Sequence, residues 1–91
     1  MSFLNNPNVN NFTIDTTNYK VLFESFTATQ GQKVFTLANT YEVGKNRIEV
    51  FVDNVQQYSP INFSETSSTS ITLSEGLSLG SIVFVKITQI K

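Results

Sequence analysis

Cysteine, histidine and tryptophan are all absent from the 91-residue chain. Without cysteine there are no disulfides and no thiolate metal sites. Without histidine or cysteine, nucleophile–imidazole pairs cannot form, and zinc loses its preferred ligands. Charge is also scarce. Charged residues make up 14% of the chain and the net charge is −1, against roughly 25% charged residues in a usual soluble domain. The six basic residues, Lys20, Lys33, Lys45, Arg47, Lys86 and Lys91, are scattered and form no run. Such a weak field does not steer a protein to nucleic acid or to an anionic membrane. No apolar stretch approaches the roughly 20 residues that span a bilayer. The opening Met1-Ser2-Phe3-Leu4-Asn5-Asn6-Pro7 lacks the basic and apolar regions of a secretory signal, so the expectation is synthesis in a cytoplasm. A chain this short buries only about 60–65% of its unfolded surface. With no covalent or metal staple available, association with copies of itself or with a larger surface is the remaining way to add stability.

What is present is Ser, Thr, Asn and Gln, together with regularly spaced apolar residues. Residues 1–18 read as an extended arm, crowded with asparagine (Asn5, Asn6, Asn8, Asn10, Asn11, Asn18) around Pro7. Asn and Pro favour turns and extended chain over helix or central strand. Phe3, Leu4, Val9, Phe12 and Ile14 punctuate this arm, and a free tail has little use for them. They are the candidate contacts by which the arm lies along a neighbour.

Residues 19–91 read as one domain of short strands separated by turn residues every 8–12 positions, the pattern of a sandwich or barrel. The first strand covers residues 19–28, and its alternation slips at Glu24-Ser25, from Val21 and Phe23 to Phe26 and Ala28, which suggests a bulge that keeps these four on one face. Thr29-Gln30-Gly31-Gln32 is a turn, residues 33–37 a second strand, and residues 38–46 a loop holding Tyr41 and Gly44. Residues 47–53 alternate most clearly, and Asp53-Asn54 reads as a tight hairpin turn. Residues 66–70 read as a Ser/Thr-rich loop, and residues 81–90 as a long β-branched final strand. No segment keeps a 3.6-residue apolar period. The fold expected is all-β, a small antiparallel β-sandwich of about seven short strands with an extended N-terminal arm.

Two strands carry apolar residues on both faces. Phe51 opposes Ile48, Val50 and Val52, and the row Ile82, Phe84 opposes Val83, Val85 and Ile87. A lone sandwich keeps its outer face polar, so Phe51, Ile82 and Phe84 are candidate contacts between subunits. Each buried Phe contributes roughly 1.5–3 kcal/mol. No pair of carboxylates, calcium loop or glycine-rich phosphate loop carries a recognisable chemistry, so no enzyme, no cofactor and no metal site is expected. Among the three tyrosines, Tyr41 and Tyr58 are candidate ligand contacts, since a tyrosine ring stacks on sugars as readily as it packs at an interface.

The run Phe26-Thr27-Ala28-Thr29-Gln30-Gly31-Gln32-Lys33-Val34-Phe35-Thr36-Leu37 resembles the opening of a small β-sandwich module of bacteriophage tail fibres, tailspikes and other virion proteins. Such modules continue with a Tyr-x-x-Gly loop, matched by Tyr41 and Gly44, and a strand and hairpin, matched by Asn46-Arg47-Ile48-Glu49-Val50-Phe51-Val52-Asp53-Asn54-Val55-Gln56-Gln57. They close with Ile-Thr-Leu, a glycine and an alternating strand, matched by Ile71-Thr72-Leu73, Gly80 and Val83-Phe84-Val85. Two departures stand out: Asp53-Asn54 where Asn-Gly is usual, and Ser81 where an aspartate is common. Both keep turn-forming chemistry. The resemblance implies a non-enzymatic virion protein, made in the host bacterial cytoplasm. It implies a homo-oligomer, with a trimer favoured, whose partners are capsid, portal, tail or fibre proteins. A module that stands as a whole protein with its own Met1 suits an accessory role, as a capsid decoration or head-fibre attachment protein anchored by the arm. The competing reading is a tail-fibre receptor- or glycan-binding module of the adsorption apparatus.

Overall fold

The computed structural model describes residues 12–91, and every regular element among them is a β-strand. The eight strands are β1 (Phe12–Asp15), β2 (Tyr19–Thr27), β3 (Val34–Thr36), β4 (Ile48–Val52), β5 (Val55–Gln57), β6 (Phe63–Ser67), β7 (Ser70–Leu73) and β8 (Ile82–Ile90). They form a five-stranded sheet in the order β1-β2-β8-β4-β5 and a three-stranded sheet in the order β3-β7-β6, antiparallel throughout. The expected antiparallel sandwich is therefore present, with eight strands where about seven were expected. No helix among the described residues is long and apolar enough to cross a membrane.

Register fixes the core. Residues directly opposite in a sheet share a face, and the large sheet has three inward rows: Leu22, Ile87 and Ile48; Glu24, Val85 and Val50; Phe26, Val83 and Val52. Phe35, Ile71, Leu73 and Phe63 face them from the small sheet. The rings of Phe26 and Phe35 meet across the sandwich at 5.7 Å. β8 lies between β2 and β4, so its Val83, Val85 and Ile87 are fully buried.

The bulge expected at Glu24-Ser25 is not there. β2 and β8 pair without interruption from Tyr19 opposite Ile90 to Thr27 opposite Ile82. The alternation slips in sequence because a carboxylate occupies an inward position. Glu24 is only 2% exposed, and its oxygens accept hydrogen bonds from the Ala38 amide (2.8 Å), the Asn39 amide (3.0 Å) and Asn39 Nδ2 (2.9 Å). A buried carboxylate persists only when it is paired in this way. Glu65 plays the matching part from the small sheet, where its Oε1 accepts from the Gly44 amide at 2.8 Å. The long loop between β3 and β4 is thus held near both ends by glutamates. Between them, Tyr41 turns into the core.

Residues 12–18, expected as the end of the arm, are strand and turn instead. β1 pairs with β2 from Phe12 opposite Phe23 to Asp15 opposite Lys20. Lys91 at the other end of the chain binds the Asp15 carboxylate and donates to the Thr16 carbonyl. That hydrogen bond from Lys91 holds the Asp15 carboxyl below its ordinary range. The region read as a Ser/Thr loop also folds into strands. β6 runs to Ser67 and β7 starts at Ser70, with paired hydroxyls Thr66–Thr72 (2.5 Å) and Ser67–Ser70 (2.7 Å). A register shift between Glu65 and Ser67 marks the irregularity there. The Asp53-Asn54 hairpin is as expected: both residues have positive φ, 48° and 71°, which matches the twist of the flanking strands.

Candidate functional site

The two outer faces of the sandwich differ in chemistry. On the small sheet, Val34 lies opposite Thr72, which lies opposite Ser64, and Thr36 lies opposite Ser70. Apart from Val34, this face is a ladder of hydroxyls, suited to water. On the large sheet, Ile14 lies opposite Val21, Thr27 opposite Ile82, and Phe84 sits between Ser25 and Phe51. Phe23 lies beside them on the same face, opposite Lys86, which in turn faces Glu49.

The aromatic side chains of this face touch one another. Phe23 and Phe84 have ring centroids 5.5 Å apart, and Phe84 and Phe51 6.5 Å apart, both pairs tilted. Tilted ring pairs in this range are attractive beyond their buried area. A chain of three phenylalanines therefore crosses β2, β8 and β4 at the centre of the outer face. Each of the three is half-buried rather than covered. Ile82, at 46% exposure, and Ile14 extend the apolar surface toward the two ends of the sheet. Val21 is buried although it belongs to the outer face and not to the sandwich core.

Of the residues expected to form interfaces, Phe51, Ile82 and Phe84 are thus brought onto one face. Phe51 and Phe84 are in contact, and Ile82 lies two residues along β8. Ile14 joins the same face from β1. Phe12 is placed in β1 opposite Phe23, while Phe3, Leu4 and Val9 lie outside the described residues. Val21 and Phe23 were missed by the sequence reading. The assumed bulge assigned Phe26 and Ala28 to their face, whereas uninterrupted pairing puts Phe26 inside and Phe23 outside.

The tyrosines separate. Tyr41, expected as a ligand contact, is 4% exposed. Its amide donates to the Ser68 carbonyl at 2.9 Å and its hydroxyl to the Ser70 carbonyl at 3.2 Å. Burial, and secondarily the charge of Glu65, pushes its phenol up to about 12. This ring is a core residue and offers no surface to a ligand. Tyr58 is open to solvent, 59% exposed. No group of three or more Asp, Glu, His or Cys among the described residues is arranged to hold a metal ion.

No family model, curated protein or solved structure matches the chain.

Proposed function

We propose that this chain is a non-enzymatic structural protein of a bacteriophage virion, an accessory protein that self-associates through the outer face of its five-stranded sheet. The N-terminal segment serves as its anchor on other virion proteins, in a capsid-decoration or fibre-attachment role. The observation that carries the self-association is the asymmetry of the sandwich. One outer face is a ladder of hydroxyls, while the other presents Phe23, Phe51 and Phe84 in contact, flanked by Ile14 and Ile82. Apolar faces of this kind mark interaction surfaces in soluble proteins. Interfaces are also enriched in aromatic residues and depleted of charge at their centre. The virion setting rests on the ordered series of motifs from Phe26 to Val85. The trimer favoured by that resemblance is part of the same proposal.

Two measurements test it. Sedimentation of the intact protein should give an oligomer, and the double variant Phe51→Asp with Phe84→Asp should sediment as a folded monomer with an unchanged β-sheet circular dichroism spectrum. A wild-type monomer at high protein concentration, or a double variant that associates normally, sinks the self-association. Cryo-EM of particles from an infected host should then show this domain in regular copies on the shell or at a fibre base. Its absence from particles sinks the virion role.

A further inference from the structure

The phenylalanine face carries two opposite charges that the chain leaves unpaired. Lys86 on β8 and Glu49 on β4 are directly opposite in register, two residues along their strands from Phe84 and Phe51. Lys86 is half-buried and Glu49 is exposed. Cross-strand neighbours of opposite charge attract, yet among the described residues neither side chain makes a hydrogen bond or an ion pair. The other charges at this face have partners in their own chain. Arg47, just before β4, has its Nε 3.7 Å from Glu42 Oε1. Asp53, at the hairpin turn, accepts from the Ile82 amide through Oδ1. Among the described residues, the face therefore offers one free cation, Lys86, and one free anion, Glu49, beside its aromatic centre.

This arrangement restricts what can cover the face. A charge taken out of water without a counter-charge is strongly unfavourable. An apolar partner would suit the three phenylalanines and strand Lys86 and Glu49. A basic partner would answer Glu49 and repel Lys86, and an acidic one would do the reverse. A second copy of the same face brings one cation and one anion and answers both, which is the self-complementarity that a symmetric contact requires.

We infer that Lys86 of each copy pairs with Glu49 of a neighbouring copy, so that these two charges set the register of the contact and confine it to copies of this chain. The inference rests on the self-association read from the phenylalanine face and adds what the rings do not supply. Burial of apolar area is non-directional, so the aromatic chain alone accepts many relative orientations of two faces. Opposite charges set beside the apolar patch favour one of these orientations and penalise those that bring like charges together. The phenylalanines supply affinity, and Lys86 and Glu49 supply specificity.

The test is sedimentation of the intact protein and its charge-reversed variants, with circular dichroism to check each fold. Glu49→Lys gives a face with two positive charges, and Lys86→Glu a face with two negative ones. Each alone should weaken association about tenfold or more. An equimolar mixture of the two should associate at least about fivefold more tightly than either variant alone, because unlike copies now bring opposite charges together. Pairing within one chain cannot produce that recovery, since the two charges in every copy of the mixture remain alike. The double variant Glu49→Lys with Lys86→Glu should associate as the wild type does. Should a reversal unfold the domain, Glu49→Gln and Lys86→Gln replace it. Each should weaken association about twofold to fivefold, and their double variant no more than either single one. A wild-type oligomer whose single variants associate equally well, or a mixture no tighter than its components, overturns the charge pairing and leaves the self-association standing. A wild-type monomer overturns both.

Discussion

Replacing Glu24 by alanine removes the acceptor from three hydrogen bonds at once, two of them from backbone amides that begin the loop after β3. A hydrogen bond to an ionised group contributes about 1.5–3 kcal/mol net. The Ala38 and Asn39 segment is partly exposed, so water replaces some of what is lost, and a total near 4 kcal/mol is expected. A domain of this length has a stability of roughly 5–14 kcal/mol, so the variant should lose a large part of it. Two further variants separate the reasons. Glu24→Gln keeps the volume and one acceptor oxygen but turns an N–H toward an N–H, and should cost about 2 kcal/mol. Glu24→Leu fills the inward position beside Val85 with apolar volume. If the carboxylate were merely a tolerated polar group, leucine would be neutral or stabilising. The bonds to Ala38 and Asn39 predict the opposite, a loss of about 3 kcal/mol with the loop released. Urea unfolding followed by circular dichroism and tyrosine fluorescence reads the stabilities, and hydrogen exchange reads the Ala38 and Asn39 amides. A Glu24→Leu protein within about 0.5 kcal/mol of wild type, with those two amides still protected, refutes the reasoning.

Other perturbations probe separate parts of the molecule. Asp53 Oδ1 accepts from the Ile82 amide at 2.8 Å while the residue itself holds positive φ; Asp53→Ala should therefore cost about 1–2 kcal/mol in urea unfolding. Asn54→Gly should be neutral or slightly stabilising. A Cβ added at Gly76 would stand 2.8 Å from the Gly31 carbonyl oxygen, so Gly76→Ala should lower the melting temperature by forcing apart two turns, and an unchanged melting temperature would show that the turns move freely. Tyr41, raised by burial from an ordinary 10.0 to about 12, makes folding bind its proton more tightly than the unfolded chain does. The stability it contributes is full below pH 10 and falls as pH rises through 12. Ultraviolet titration of phenolate absorbance, compared with Tyr41→Phe, should show the missing ionisation at the alkaline end.

Although β1 and the adjoining ends of β6 and β7 carry polar, turn-favouring residues and did not read as strands, most strand positions, the turns and the all-β class were legible in the sequence because period-two alternation and turn residues are local signals. Asp53-Asn54, Gly31 and the β8 run show this. So was the apolar surplus: Phe51, Ile82 and Phe84 break the alternation expected of a solvated face, and that break is visible in one dimension. The identity of the face was harder. Glu24 occupies an inward position, and a rule that puts charge outside invents a bulge there; only its bonds to residues 14 and 15 positions away, in a loop brought back by the second sheet, make an inward carboxylate tolerable. Tyr41 and Tyr58 carry the same chemistry and both sit outside the strands in sequence. One is swallowed by the core because Glu24 and Glu65 hold its loop down, and the other stays on the surface. Sequence by itself therefore determined most of the strand segments and that apolar side chains exceed one core. Tertiary structure decided which of those side chains share a face and which tyrosine remains in reach of solvent, because burial depends on long-range pairing that no local pattern encodes.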